Sequence, residues 1–218
     1  MATNRRAHVT IIVHHLENSR SQRILWMLEE LRLPYEIKRY ERNKQTMLAP
    51  PELRQVHPLG KSPVIEDTDA GRVIAETGAI AEYLVEQADG KLGPLAHRDS
   101  VLRYRQFLHY AEGSMMPPLL LLLVVGRIPL FGRKALKRIQ PMVDVHLDYV
   151  ESELASRPWF AGDEITAADI MMSFPLEAAR SRAGLNASRP ATIAWLDKIH
   201  ARPAYRTALE KGGPYAYA

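Results

Sequence analysis

The spacing of hydrophobic residues changes several times along the first half of the chain, and each change predicts a different element. Residues 8–13 are mostly apolar and β-branched, which is typical of a buried strand. Over residues 21–33 the apolar positions recur at steps of three and four, which predicts a helix with one apolar face, and Pro34 ends it. Residues 35–40 predict a second strand. This order indicates a parallel βαβ unit.

The next segment, residues 41–58, is polar and interrupted by prolines, so we expect an irregular connection with a single helical turn. Two short strands follow within residues 62–75 and are joined by a turn. Residues 76–87 have the apolar spacing of a closing helix. The complete order is βαβ followed by ββα, which predicts an α/β thioredoxin-like domain over residues 1–88, with four strands and helices on both faces.

The second half of the chain lacks any strand pattern. After a linker at residues 89–94, we expect an all-α domain over residues 95–218, with long helices at 98–123 and 135–156. The consecutive prolines Pro117 and Pro118 predict a break or kink in the first of these helices. The apolar run after them is too short to span a bilayer, which needs about 20 residues, so we expect it to pack inside the bundle or against a partner.

Composition and charge exclude several classes of function. A net charge of +4, from 29 basic and 25 acidic residues, does not imply nucleic acid as a partner. The absence of cysteine excludes disulfides, thiolate zinc sites and a cysteine nucleophile, so any thiol must arrive with the substrate. We expect no metal site, because the adjacent His14 and His15 would point to opposite faces of a strand. Because the N-terminal residues lack a long apolar core, we expect a cytoplasmic protein without a membrane partner.

The start of the predicted closing helix offers a candidate binding site. Glu76 and Thr77 stand where the first helical N–H groups have no internal partners. Such an end binds a carboxylate, because the exposed donors and the helix dipole favour negative charge. The observation fits a small peptide-like ligand, although a strand start followed by an ordinary helix cap has the same residues.

The two blocks 59–65 and 75–80 together resemble the glutathione-binding half of cytosolic glutathione transferases. The resemblance implies a cis peptide bond before Pro63, with Ser62 presenting its backbone N–H and C=O to the cysteinyl unit of glutathione. It implies further that Glu76 and Thr77 bind the γ-glutamyl carboxylate. Lys61 would reach the carboxylate of the ligand's glycine.

Two motifs extend this resemblance to essentially the whole chain. Thr166 and Asp169 form a predicted capping box that resembles the cap of the long core helix in the family's C-terminal domain, where its role is in folding. The segment 195–203 resembles the family's C-terminal Trp and Arg-Pro pattern. The family usually forms homodimers, so a homodimer is implied here.

The turn before the first helix contains the candidate catalytic residues. Members of the family ionise the glutathione thiol, and a free thiol has a pKa near 8.5. A hydroxyl donor at the start of the first helix, together with the helix dipole, stabilises the thiolate. We favour Ser19 over Asn18, which aligns with the usual serine, and place Ser21 third, although all three are also ordinary helix-capping types. Because this turn lacks tyrosine, we expect a bacterial-type member with a serine or asparagine turn and not a tyrosine-type one.

We expect the electrophile pocket between the two domains. Its candidate residues are Leu16, Tyr104, Leu108, His109, Glu112, Met115 and Met116, each of which could equally be ordinary helix core. The resemblance implies a detoxifying transferase that conjugates glutathione, as co-substrate and without another cofactor, to a small hydrophobic electrophile. The alternatives are a glutathione-dependent peroxidase and a non-catalytic glutathione-binding protein on the same fold.

Overall fold

The N-terminal half of the chain folds as a four-stranded mixed sheet with helices on its faces. A computed structural model describes residues 11–128 and 132–217 of the chain. Its N-terminal elements are the strands β1 (Ile11–Leu16), β2 (Tyr35–Tyr40), β3 (Val64–Asp67) and β4 (Arg72–Ala75), and the helices α1 (Ser21–Leu31), α2 (Leu53–Val56) and α3 (Thr77–Gln87). The predicted βαβ and ββα order is therefore confirmed.

The order of strands in the sheet is β2-β1-β3-β4. β1 runs parallel to β2, whereas β3 is antiparallel to both β1 and β4. In this register Val64 pairs with His14 on one side and with Ala75 on the other. The end of β1, the start of β3 and the end of β4 consequently meet at one edge of the sheet.

Strand β1 extends three residues further than the sequence predicted, to Leu16, while residues 8–10 of the predicted strand lie outside the described residues. The two histidines that follow the apolar run are both buried within the strand. His14 is within hydrogen-bond distance of the Tyr40 hydroxyl, at 2.8 Å, and of the Glu66 carboxylate, at 2.6 Å. Because both ring nitrogens have partners, the strand accommodates a buried polar ring, although the apolar pattern predicted that the strand ends before it.

Helix α1 is buried around almost its whole circumference, although its sequence predicts only one apolar face. One side packs on the sheet, and the other packs on a helix from the C-terminal half. Gly212 makes this second contact close, since a Cβ atom there would lie 2.4 Å from the Gln22 Oε1 atom. The helix ends at Leu31, before the predicted residue 33, because Arg32 adopts a left-handed conformation with φ of 58°.

The C-terminal half is all-helical within the described residues, as predicted. Its helices are α4 (Arg98–Tyr110), α5 (Met116–Gly126), α6 (Gly132–Ser156), α7 (Ala167–Arg182), α8 (Pro190–His200) and α9 (Pro203–Gly212). A single hydrophobic core runs from the sheet through α1 into this bundle. The two halves therefore share one core and are not separate bodies joined by a flexible linker.

The prolines at positions 117 and 118 do not break the first long helix. A π-helical turn, Ala111–Met115, joins α4 to α5, so helical structure is continuous from Arg98 to Gly126. Proline lacks an N–H and clashes with the carbonyl four residues earlier, and a widened turn at that point accommodates both defects. The expected break is thus replaced by a local change of helical pitch.

By length and composition alone, this continuous helix of 29 residues is apolar enough to cross a membrane. The short apolar run near its end, taken alone, predicts no membrane span. Core helices of soluble bundles pass the same test, and Phe107, Leu108 and Leu119 of this helix are buried inside the protein. The feature is therefore weak support for a membrane span.

The predicted capping box at the start of α7 is confirmed. Asp169 is fully buried, and its carboxylate accepts the backbone N–H groups of Phe160 and Thr166, both at 2.9 Å. The Thr166 hydroxyl donates to it at 3.0 Å. Burial raises the pKa of Asp169 to about 6, although these hydrogen bonds oppose the shift. One carboxylate thereby fixes both the loop and the helix that follows it.

The two halves are joined by ion pairs between α1 and the π-helical turn. Glu112 binds Arg20 through both carboxylate oxygens, at 2.8 and 2.9 Å, and also pairs with Arg23. Arg23 is 2% exposed and donates in addition to the carbonyl of Met171 in α7. Burial would raise the pKa of Glu112, but the two guanidinium groups outweigh it and lower that pKa. The expected electrophile-pocket residue Glu112 is thus engaged in holding the domains together.

We predict that Asp169→Asn lowers the free energy of unfolding by about 2 kcal/mol, because an amide cannot accept at both of its terminal atoms. Urea denaturation followed by tryptophan fluorescence measures the change. Asp163→Asn is the control, since Asp163 is exposed in the preceding loop. Equal stability of the two variants would contradict a role for the buried carboxylate.

We predict that Glu112→Gln lowers the free energy of unfolding by about 3 kcal/mol, because it leaves the buried Arg23 charge without a counterion. The same denaturation experiment tests this value. Asp197→Asn is the matched control, since it removes an exposed pair with Arg180 at 3.7 Å and should cost less than about 1 kcal/mol. Similar losses in both variants would show that the α1 ion pairs contribute no more than surface pairs.

Candidate active site

The peptide bond between Ser62 and Pro63 is cis, as the resemblance implied. The Ser62 hydroxyl donates to the carbonyl of His14 at 2.7 Å and accepts the N–H of Leu16 at 3.3 Å. Within residues 11–128 and 132–217, no hydrogen bond occupies the backbone N–H or C=O of Ser62. The side chain thus anchors the loop to β1 and leaves its backbone available to a ligand.

Glu76 and Thr77 lie at the same edge of the sheet, because the pairing of Val64 with Ala75 sets Pro63 opposite Glu76. Glu76 is exposed and has a φ of 69°, a conformation that residues other than glycine rarely adopt. Thr77 is 5% exposed and begins α3. Backbone strain of this kind costs on the order of 1–3 kcal/mol, and it is typical of functional sites.

The turn between β1 and α1 holds Asn18 in a left-handed conformation, with a φ of 49°. Its side-chain Oδ1 accepts the backbone N–H of Ala216 at 2.7 Å. Its carbonyl accepts a hydrogen bond from Arg42 at 3.2 Å. Asn18 therefore holds the C-terminal segment over the turn. The sequence contains no local signal for this contact, because the two residues are far apart in the chain.

Ser19 begins a chain of hydrogen bonds that leads into the protein. Its hydroxyl lies 2.8 Å from that of Ser21 and accepts the Ser21 N–H at 3.2 Å. The Ser21 hydroxyl in turn lies 2.9 Å from Nδ1 of His15 and accepts the N–H of Leu16 at 3.2 Å. That same Leu16 N–H reaches Ser62, so one backbone donor links the turn to the cis-proline loop.

His15 fixes the direction of this chain. Burial, together with the charge of Arg39, lowers the pKa of His15 to about 4, so the ring is neutral near pH 7. A backbone hydrogen bond to Gly212 engages the ring as well. A ring proton directed at the Gly212 backbone leaves Nδ1 as an acceptor for the Ser21 hydroxyl, which also lies 3.3 Å from the Leu16 carbonyl. With the Ser21 hydrogen donated to His15, the contact between the two hydroxyls is a donation from Ser19 to Ser21, and Ser19 must turn away from Ser21 to donate to a ligand.

A cavity of about 800 Å³ lies beside these residues, between the two halves of the chain. Leu16, Asn18, Ser19, Lys61 and Ser62 line it, so five of the expected site residues come together on one wall. Pro63, Glu76 and Thr77 lie next to this wall at the edge of the sheet but do not line the cavity. Ser21 is behind the wall and fully buried.

The opposite wall differs from the expected electrophile pocket. Tyr104, Leu108 and Met115 are buried in the core, because their faces of the long helix point into the bundle. The cavity is instead lined from this side by residues of α5, α7 and the C-terminal segment, namely Met116, Leu120, Leu123, Arg127, Phe174, Arg182, Ala216 and Tyr217. Met116 is the expected residue of the helical half that lines the cavity, whereas His109 is exposed and does not line it, so most of this wall lies further along the chain than expected.

A signal for part of this wall is present in the sequence. Met116, Leu120, Leu123 and Arg127 recur at steps of four, three and four, so they form one stripe on a helix. In the sequence, Met116 is an expected pocket residue, whereas the apolar run that contains Leu120 and Leu123 is expected in the core or against a partner. The contributions of α7 and the C-terminal segment carry no comparable signal, because they depend on how distant elements pack.

The described residues contain no group of three or more His, Asp or Glu side chains that could hold a metal ion. The polar groups around the cavity are hydroxyls, amides and basic side chains, which are the groups that bind carboxylates and anionic sulfur. The arrangement can thus hold an extended peptide along Ser62 and bring a hydroxyl donor to an anion at the start of α1.

Comparisons with known proteins agree with this geometry. Residues 19–87 match the family model for the N-terminal domain of glutathione S-transferases, and residues 114–203 match that for the C-terminal domain. Glutathione S-transferase 3 of Schizosaccharomyces pombe is 38% identical over 92% of this chain and 87% of its own length. Glutathione S-transferase 1 of Saccharomyces cerevisiae is 33% identical over 92% of this chain and 94% of its own length.

A solved structure supports the same assignment. The crystal structure of a glutathione S-transferase from Actinobacillus pleuropneumoniae superposes with a TM-score of 0.85, is 35% identical, and covers 95% of each chain. Two family models and several relatives along almost the entire chain thus agree with a thioredoxin-like domain that is followed by a helical one. The chain belongs to the glutathione S-transferase family and is an enzyme of that family.

Proposed function

We propose that this enzyme ionises the thiol of glutathione at the Ser19 hydroxyl and transfers the sulfur to an electrophile in the cavity between the domains. The observation that carries the proposal is the position of Ser19. It lines the cavity and is linked through Ser21 and the Leu16 N–H to the Ser62 loop. Such a link sets the hydroxyl in a fixed relation to a peptide bound along Ser62.

Glutathione would bind in three parts. Ser62 offers its backbone N–H and C=O to the cysteinyl unit, as one strand does to the next. Glu76 and Thr77 hold the γ-glutamyl end, Glu76 through the ammonium group and Thr77, at the start of α3, through the carboxylate. Lys61 is exposed on the cavity wall and attracts the carboxylate of the glycine. The thiol then lies toward the start of α1.

Thiol ionisation follows from the hydrogen-bond chain. Ser21 donates to neutral His15, and the Ser19 hydroxyl, which donates to Ser21 in this structure, turns its hydrogen toward the sulfur when glutathione binds. The start of α1 adds the favourable end of a helix dipole. Lowering the thiol pKa by about two units requires about 2.7 kcal/mol of preferential stabilisation of the anion, which a charge-assisted hydrogen bond and a dipole together supply.

The proposed reaction is transfer of the thiolate sulfur to an electrophilic carbon. The thiol proton leaves to solvent when glutathione binds, and the sulfur then forms a bond to carbon by substitution or conjugate addition. Ser21 and His15 act as positioning residues, because they orient the Ser19 hydroxyl without touching the sulfur. Asn18 holds the C-terminal segment over the turn and so helps to enclose the site.

The serine-type mechanism, the homodimer and the cytoplasmic location are parts of this proposal. A glutathione-dependent peroxidase would use the same thiolate, and a non-catalytic glutathione-binding protein would use the same peptide site. An unshifted thiol pKa in bound glutathione would favour the non-catalytic function, and turnover of a hydroperoxide without conjugation would favour the peroxidase.

We predict that Ser19→Ala raises the pKa of enzyme-bound glutathione by about 1–2 units and lowers kcat/KM for conjugation at pH 7 by about a hundredfold. Below the pKa of the bound thiol the affinity for glutathione should change little, because the sulfur is the only part of the ligand that Ser19 contacts. Ultraviolet absorbance of the thiolate, measured against pH, gives the pKa. Because His15 is neutral throughout the working range, this thiol should dominate the ascending limb of the pH profile.

Asn18→Ala is the companion variant for this experiment. It should leave the thiol pKa unchanged while loosening the C-terminal segment. A raised pKa in Asn18→Ala together with an unchanged pKa in Ser19→Ala would make Asn18 the donor and refute the assignment.

We predict that Thr77→Val raises the dissociation constant for glutathione by about tenfold, because a buried hydrogen-bonding group is lost at the γ-glutamyl site. The thiol pKa in the complex should stay within about 0.3 units of that of the unmodified protein. Isothermal titration calorimetry gives the constant, and Ser19→Ala, which should show the opposite pattern, is the matched control. If Thr77→Val also abolished the lowering of the thiol pKa, the γ-glutamyl site and the site that ionises the thiol would not be separable.

A further inference from the structure

The cavity between the domains carries an unbalanced charge. Its lining includes the basic residues Arg20, Arg42, Arg54, Lys61, Arg127 and Arg182. None of the described residues that line it is an aspartate or a glutamate. Clustered charges of one sign in a cleft concentrate ligands of the opposite sign.

Interactions within the protein and with glutathione account for only part of this charge. Arg20 is paired with Glu112, and Arg42 donates to the backbone carbonyls of Glu17, Asn18 and Met47. Bound glutathione has two carboxylates, a thiolate and one ammonium group, so it brings two net negative charges, of which Lys61 meets one and the start of α1 meets the other. The remaining basic residues exceed what glutathione requires.

Two of these remaining arginines lie on the cavity wall opposite the glutathione site. Arg127 follows the end of α5, and Arg182 ends α7. Among the residues that the structure describes, the ion pairs include neither of them. Both are therefore cations without a carboxylate partner in the described part of the chain, at the place where the second substrate would bind.

Arg182 is held in place by its surroundings. Its guanidinium carbon lies 5.3 Å from the centre of the Tyr217 ring, and that ring packs edge-on against Phe174. The Nε atom is buried and has no hydrogen-bond partner. Part of this guanidinium has thus lost its water without gaining an acceptor, and a nearby anion would compensate for that loss.

We propose that the acceptor substrate carries a carboxylate, which Arg182 and Arg127 bind, while its apolar body packs on the stripe formed by Met116, Leu120 and Leu123. The stripe ends at Arg127 on the same face of the helix, so a ligand that lies along it meets a cation at its far end. This inference rests on the proposed transferase function and adds the charge of the acceptor to it.

A pair of matched acceptors tests the inference. The anionic probe is 4-chloro-3-nitrobenzoate and the neutral probe is its methyl ester. In both, the thiolate sulfur bonds to the carbon that carries chlorine, and chloride leaves with the bonding electrons. The thiol proton is released to solvent, and nothing is oxidised or reduced. Because the ester activates the ring more strongly, each kcat/KM is divided by the rate constant of the uncatalysed reaction with glutathione.

We expect the unmodified enzyme to prefer the carboxylate by about tenfold after this normalisation, since a charge-assisted hydrogen bond contributes at least that factor. Arg182→Gln and Arg127→Gln should each reduce the preference, and the double variant should abolish it. Arg180→Gln is the control, because Arg180 lies on the same helix but pairs with Asp197 and does not line the cavity. No preference in the unmodified enzyme, or an equal loss in Arg180→Gln, would overturn the inference.

A binding measurement makes the outcome independent of turnover. The conjugates of glutathione with the two probes are products, and calorimetry gives their dissociation constants directly. The carboxylate conjugate should bind about tenfold more tightly than the ester conjugate, and Arg182→Gln should remove this difference. If both conjugates bind equally while the ester is turned over, the inference fails and the proposed function stands. If the carboxylate conjugate binds more tightly but neither probe reacts, the proposed function fails and the anion site stands.

Glutathione disulfide distinguishes the source of the carboxylate. Its second glutathionyl group brings carboxylates of its own to the same wall. If Arg182→Gln weakens its binding as much as that of the carboxylate conjugate, the anion site also accepts a glutathionyl carboxylate. If only the conjugate is weakened, the acceptor is an organic acid of another kind.

Discussion

The buried guanidinium of Arg23 is the constraint on which the rest of the structure depends. It is a full charge within the core, and its partners, Glu112 and the carbonyl of Met171, both belong to the helical half. A buried charge without these partners would be strongly destabilising. These partners therefore favour the arrangement in which the start of α1 meets the π-helical turn.

That docking also fixes the turn between β1 and α1, which carries the proposed donor to the thiol. Ser19 precedes the helix that Arg23 anchors, and the Ser21 hydroxyl joins it to His15 and to the strand. The N–H of Leu16 is shared between Ser21 and Ser62, so the turn and the cis-proline loop cannot shift independently. A hydroxyl donor placed by backbone contacts on rigid elements needs little rearrangement when the thiolate forms, and such preorganisation is what makes electrostatic catalysis effective.

The π-helical turn serves the interface and the cavity together. By accommodating Pro117 and Pro118 without a break, it keeps Glu112 directed at α1 while the next turns of the helix face the cavity. Residues just before the turn belong to the core, whereas Met116 and the apolar residues after it form the cavity wall. A change of pitch within one helix thus separates the part that stabilises the protein from the part that lines the cavity.

The sequence by itself determined the elements and their order, because apolar spacing, prolines and the Thr166 and Asp169 capping box act within a few residues of one another. Through the resemblance it also led to the cis-proline loop and to the Ser19 turn. Only the tertiary structure decided how far β1 extends, that α1 is buried on both sides, and which residues face the cavity. Those features depend on contacts between residues far apart in the chain, such as that of Asn18 with Ala216 or of Arg182 with Tyr217, and local patterns contain no information about such contacts.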